Sequence, residues 1–128
     1  MEEITVNVNW LAVIVGAVLA YLLGWLWYSP KLFGEKWASG VGVSCDDSSE
    51  FPLAAMTTQA VGTFLLAWVV GVTAAHDMLF FIALITLTIV FLIIAAGHFA
   101  QKSSTAINIE VTYILAMVVI MIVVQAVL

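Results

Sequence analysis

Charge stops after Glu3 and does not return until Lys31. The run between them is dominated by Val, Leu, Ala and Ile, and it closes on Trp25, Trp27 and Tyr28 just before the lysine. Long uncharged runs recur after Glu50, after Asp77 and after Glu110. A bilayer core about 30 Å thick needs roughly 20 helical residues at about 1.5 Å each. Four segments meet that length, at about 10–28, 53–75, 79–101 and 109–128. The β-branched residues that fill the last two would favour strands in water. In lipid the backbone must satisfy its own hydrogen bonds, so continuous apolar runs of this length are helices. The pattern predicts an all-α membrane protein, a small bundle of four transmembrane helices forming one domain over residues 1–128.

The one long connection, residues 31–50, has its own pattern. Leu32, Phe33, Trp37 and Val41 fall at helical spacing opposite Lys31, Glu35 and Lys36. A short helix lying in the membrane interface is expected there, broken by Gly40 and Gly42. Asp47, three residues before Glu50, resembles a capping box opening the second span. The link around His76 and Asp77 is tight. The link Lys102-Ser103-Ser104-Thr105 leads to Asn108, expected as the N-cap of the fourth span.

Composition narrows the class further. The chain of 128 residues is 65% hydrophobic and 9% charged, where a soluble domain carries about 25% charge. A domain this small buries only about 60–70% of its surface on folding, so lipid must cover the remainder. Three lysines, no arginine and a net charge of −5 exclude a nucleic-acid partner. The single cysteine, Cys45, forms no internal disulfide, and Asp46 and Asp47 beside it disfavour a reactive thiolate. The acidic start Met1-Glu2-Glu3 is unlike a secretory leader, so the first span is expected to be retained. Lys31, Lys36 and Lys102 fall on one side of a four-span chain. The positive-inside tendency makes that side cytoplasmic, with both termini outside.

Without a hydrophobic drive between helices in lipid, small residues set where they approach. Gly16, Ala20 and Gly24 make one such stripe, and Ala67, Gly71 and Ala75 another. Whether they serve contacts within a protomer or between protomers is open at this level; a homo-oligomer or a larger membrane complex is the expectation. Polar residues at membrane depth are costly and are the first candidates for function. Gln59, His98, Glu110 and Tyr113 collect toward the cytoplasmic half. A His98–Glu110 pair could exchange a proton near neutral pH. The plainer reading is structural, with Glu110 favoured near a helix N-terminus and His98 reaching water. Trp10, Trp25, Trp27, Tyr28 and Trp37 read as interface anchors rather than a ligand cage. No cofactor or metal is expected, since the acidic turn lacks calcium-loop spacing and the two histidines lie at opposite faces. No hydrolase, phosphate-loop or dinucleotide motif is present, so the chain is not expected to be an enzyme.

The segment Asn9-Trp10-Leu11-Ala12-Val13, then Leu23-Gly24-Trp25-Leu26-Trp27-Tyr28-Ser29-Pro30 and Phe33-Gly34-Glu35-Lys36-Trp37, resembles the domain of unknown function 1761 family of small prokaryotic membrane proteins. Asn108 and Tyr113 correspond to polar positions of that family's last helix. The resemblance implies four spans and a bacterial or archaeal inner membrane, and it brings no activity. The expected function is therefore a non-catalytic packing, binding or accessory subunit. The alternative is a homo-oligomeric channel or transporter for an ion or small solute, using the cytoplasmic-half polar cluster.

Overall fold

A computed structural model describes residues 2–29, 32–42 and 53–128. Pro30, Lys31, Cys45, Asp46, Asp47 and Glu50, and with them the expected capping box, lie outside the described residues. All regular structure among the described residues is helical. After a 3-10 turn at Glu2–Ile4 come α1 (Trp10–Trp27), α2 (Gly34–Val41), α3 (Leu53–Ala75), α4 (Phe80–Phe99) and α5 (Ser104–Val127). Of these, α1, α3, α4 and α5 are long and apolar enough to cross a membrane. The chain is a multi-pass membrane protein with a short fifth helix.

Local chemistry fixes the helix ends. Asn9 caps α1, its side-chain oxygen accepting from the Ala12 N–H at 3.2 Å. At the other end the Ser29 hydroxyl donates to the Leu26 carbonyl at 2.7 Å. The Phe33 and Gly34 amides then reach back to the carbonyls of Trp27 and Ser29, folding the chain straight into α2. Gly42, at φ 82°, closes α2 in the left-handed conformation. Gly40 does not break this helix as expected; it lies inside it, and its carbonyl accepts from the Ser103 amide at 3.0 Å. The last two links are alike. Asp77 and Gln101 take positive φ, and Met78 and Lys102 donate back to Thr73 and Gly97 at 2.8 and 2.9 Å. Both are Schellman closures, which let helices turn within a few residues.

The start of α5 corrects the expectation. It begins at Ser104, not near Ile109, and its cap is Ser103, whose hydroxyl accepts from the Ala106 N–H at 3.1 Å. Asn108 sits inside the helix, its carbonyl accepting from the Thr112 hydroxyl at 2.8 Å. A serine followed directly by a helical turn outcompetes an asparagine further on, because capping satisfies an otherwise unpaired amide earlier.

Packing centres on α5, which touches each of the other four helices. The Gly16–Ala20–Gly24 stripe of α1 faces it: Met121 backbone lies beside Gly16, and the Tyr113 hydroxyl beside Gly24. Ala67 and Gly71 of α3 are buried, and Gly71 lies against Val13 of α1; Ala75, at the end of α3, is half-buried. Both stripes thus serve contacts within one protomer. Val13, Val70, Met117 and Met121 fill the middle, each no more than 2% exposed. By contrast α4 packs along α5 and meets α3 only sparsely.

A Cβ at Gly71 would lie 2.6 Å from Val13 Cγ2, and Val13 is stiff and enclosed. Gly71→Ala is expected to destabilise the bundle by about 1–3 kcal/mol in detergent unfolding. Gly62, with nothing within 4 Å of its would-be Cβ, is the control. Gly62→Ala is expected to be neutral or to gain up to about 1 kcal/mol.

Candidate functional site

The polar chemistry gathers where the end of α1, all of α2, and the start of α5 meet. Glu110 stands in the second turn of α5, about 9 Å from the helix start at 1.5 Å per residue. That is beyond the first turn, where the helix dipole acts most strongly. Its carboxylate is held by side chains instead. Lys102 Nζ and Trp37 Nε1 both donate to Glu110 Oε2, each at 2.8 Å. The Glu110 side chain is 16% exposed and that of Lys102 29%, so the pair is compensated in a mostly dry setting. Charge-assisted bonds of this length are the stronger kind.

Aromatic rings wall the pair on the α1 side. Tyr28 meets Trp37 and Tyr113 edge-on, both at 5.5 Å between ring centres. Trp27 stacks at a tilt on Phe33 at 4.9 Å and donates its indole N–H to the Ile109 carbonyl at 3.1 Å. Burial, with the Glu110 charge and the Tyr113 hydroxyl adding, holds the Tyr28 proton on well above the ordinary tyrosine range. Deeper in, the Tyr113 hydroxyl donates to the Ala20 carbonyl at 2.8 Å. Gln59 stands beside that hydroxyl and donates to Thr63 at 3.4 Å.

Of the four candidates from sequence, the structure brings Gln59 and Tyr113 together and places Glu110 one turn away. His98 is exposed and makes no hydrogen bond to Glu110, whose oxygen is taken by Lys102 and Trp37. The reason is rotational: Gly97 is the residue of that turn pressed against Ile107 of α5, and one residue on, the helix has turned by about 100°. The aromatic anchors divide. Trp25, 61% exposed, faces outward, whereas Trp27, Tyr28 and Trp37 are half-buried in the cluster. Trp10 lies 5.3 Å from Trp68 at the opposite end. Tyr21 finds its partner in the Met56 carbonyl at 3.2 Å.

Lys102, as the partner of Glu110, and Trp68, which donates to the Ile4 carbonyl at 2.7 Å, were not singled out by sequence. Lys102 carried a usable signal: it is the one cation in the link leading into α5. Chemically the cluster ties three segments together through one carboxylate. Among the described residues no group of three or more His, Cys, Asp or Glu could hold a metal ion. Thr86 is the one buried side chain among the described residues whose polar atom has no partner.

A family model described as "Protein of unknown function (DUF1761)" matches residues 11–126. No curated protein and no solved structure matches the chain.

Trp37→Phe removes one donor to Glu110 and is expected to cost about 1–2 kcal/mol of stability, read by denaturant titration in micelles. Lys102→Met is expected to cost more than the double change Lys102→Met with Glu110→Leu, because the single change strands a half-dry carboxylate. The raised Tyr28 pKa fixes a sign as well. Stability tied to its neutral phenol is fully present below pH about 10 and is lost as the pH climbs toward the folded value. Tyr28→Phe should therefore lose less of its thermal midpoint than the unaltered protein between pH about 10 and 12.

Proposed function

The chain belongs to the DUF1761 family, whose description carries no activity, and from that premise we propose that it is a non-catalytic packing and binding subunit. It acts by being built into a homo-oligomer or a larger assembly in a prokaryotic inner membrane. The lysine-bearing end faces the cytoplasm and both termini face outside. The observation that carries this reading is the closed middle of the bundle. Val13, Val70, Met117 and Met121 fill it, and the inward-facing Tyr113 and Thr63 are engaged with the Ala20 carbonyl, Gln59 and Met117. The carboxylate at membrane depth is clasped by Lys102 and Trp37, which suits an anchor better than a group that must exchange protons with a passing solute.

One observation favours the second reading, a homo-oligomeric channel or transporter. Gln59 is exposed about two turns into the α3 span, on the helix face that also carries Thr63, where a path between protomers could use its amide. The two readings separate by native mass spectrometry of protein gently extracted from its own membrane. Stoichiometric release with a different protein is the expected outcome of the accessory reading. A homo-oligomer without a companion, together with ion or solute flux in liposomes that Glu110→Gln or Gln59→Leu abolishes, would replace it with the transport reading.

A further inference from the structure

The first half of α3 stands outside the core. From Leu53 to Gly62 every residue is exposed except Met56, which is half-buried, and burial begins at Thr63. At about 1.5 Å per residue that stretch spans roughly half of a bilayer core. The Tyr21 hydroxyl holds it through the Met56 carbonyl, and α4 meets α3 only sparsely. Its surface is two-sided. Leu53, Val61, Phe64 and Leu65 present large apolar groups suited to lipid. Ala55, Thr58, Gln59 and Gly62 recur at i, i+3, i+4 and i+7, forming a second face with no large apolar group.

Two features of that second face are unfinished within the protomer. Gly62 has nothing within 4 Å of the Cβ it lacks. Gly16, Gly24, Gly71 and Gly97, the other glycines of the long helices, each have a side chain against theirs. Gln59 stands at the edge of the face, beside buried Thr63, about 9 Å from the start of α3. Its amide nitrogen reaches the Thr63 hydroxyl at the long distance of 3.4 Å, and among the described residues no donor serves its carbonyl oxygen. An amide offers two hydrogens and an acceptor with two lone pairs. Hydrocarbon can complete neither the amide nor the contact at Gly62.

We propose that two copies of the chain meet on this face. Their α3 helices cross at Gly62, with the Gln59 amides bonded to each other across a two-fold axis along the membrane normal. Copies inserted in the same orientation and related by that axis hold Gln59 at the same depth. An amide both donates and accepts, so the pair is complementary to itself. No charged residue lies between Leu53 and Ala75 to oppose the approach. The missing side chain at Gly62 lets the backbones come close enough for an interhelical amide bond. An acyl chain supplies neither bond, and a different protein would have to carry a matching amide at that depth. The inference rests on the homo-oligomer half of the reading above and names its surface; it is independent of the Glu110 clasp.

The test is energy transfer between full chains labelled with donor or acceptor at the single cysteine, Cys45, in phosphatidylcholine vesicles over a range of lipid-to-protein ratios. The unaltered chain should give a concentration-dependent dimer. Gln59→Leu should weaken it by roughly tenfold, the worth of one interhelical bond. Gly62→Leu should abolish it, at a position where the protomer itself has room. Val61→Leu, on the lipid-suited side, should change nothing. A chain that is monomeric at every ratio overturns the inference, as does a dimer that either Gln59→Leu or Gly62→Leu leaves undiminished. Should Gln59→Leu disturb the core around Thr63, a lowered thermal midpoint in the dilute, monomeric range reveals it, and Gly62→Leu decides alone. A monomer that still leaves its own membrane in stoichiometric complex with a different protein overturns the inference and leaves the packing reading intact. A dimer that depends on Gln59 and Gly62 and also passes ions sustains the inference and overturns that reading.

Discussion

The closeness of α1 to α5 is the constraint on which the rest of the bundle depends. In lipid there is no gain in hiding one apolar helix behind another, so the contact must come from dispersion at short range and from bonds that lipid cannot offer. Gly24 supplies the space and Tyr113 fills it, reaching past the missing Cβ to the Ala20 carbonyl. A side chain at position 24 would meet the phenol at 2.5 Å. With Tyr113 displaced, Trp27 and Tyr28 lose the ring they lean on, and the wall around Glu110 loses its inner edge. The same approach lets Met117 and Met121 reach full burial, and against that surface α3 and α4 find their places.

The segment that gives the chain its family likeness acquires a physical reading from this geometry. Asn9 caps α1 and Trp10 braces Trp68. Trp27 and Tyr28 end α1 against Tyr113, the Phe33-Gly34 turn redirects the chain, and Trp37 delivers a donor to Glu110. Within a pattern spread over 29 residues, the part from Trp27 to Trp37 thus converges on one carboxylate in the last helix. Much of that pattern is architectural: it fixes where a short surface helix sits on the bundle.

The four long helices were legible because lipid removes the alternatives. Residues 53–75 were expected as a span, and α3 occupies Leu53–Ala75. The beginning of α5 was not legible, since two serines and a threonine read as a loop until Ser103 is seen capping. Depth along a helix can be counted from sequence, and it put His98 and Glu110 at one level. Rotation about the axis cannot be counted without a packed partner, and rotation is what turns His98 away. The ties of Trp37 and Lys102 to Glu110 depend on how α2 and the last link fold over α5. That arrangement is tertiary, and no local spacing encodes it.

The clasp on α2 joins residues 73 positions apart. A chain inserted from its N-terminus completes α1 and α2 long before Glu110 exists. At roughly 5–20 residues per second, synthesis of the missing partner takes several seconds. During that interval α2 lacks α5, the helix it packs on, and holds only to the end of α1 through Tyr28. With Trp37 on one side and Glu35 and Lys36 on the other, it can wait at the water–lipid boundary without aggregating or entering the bilayer. The amphipathic pattern of a helix that ends half-buried therefore serves its earlier life, as a segment parked on the membrane surface until the final span arrives to receive it.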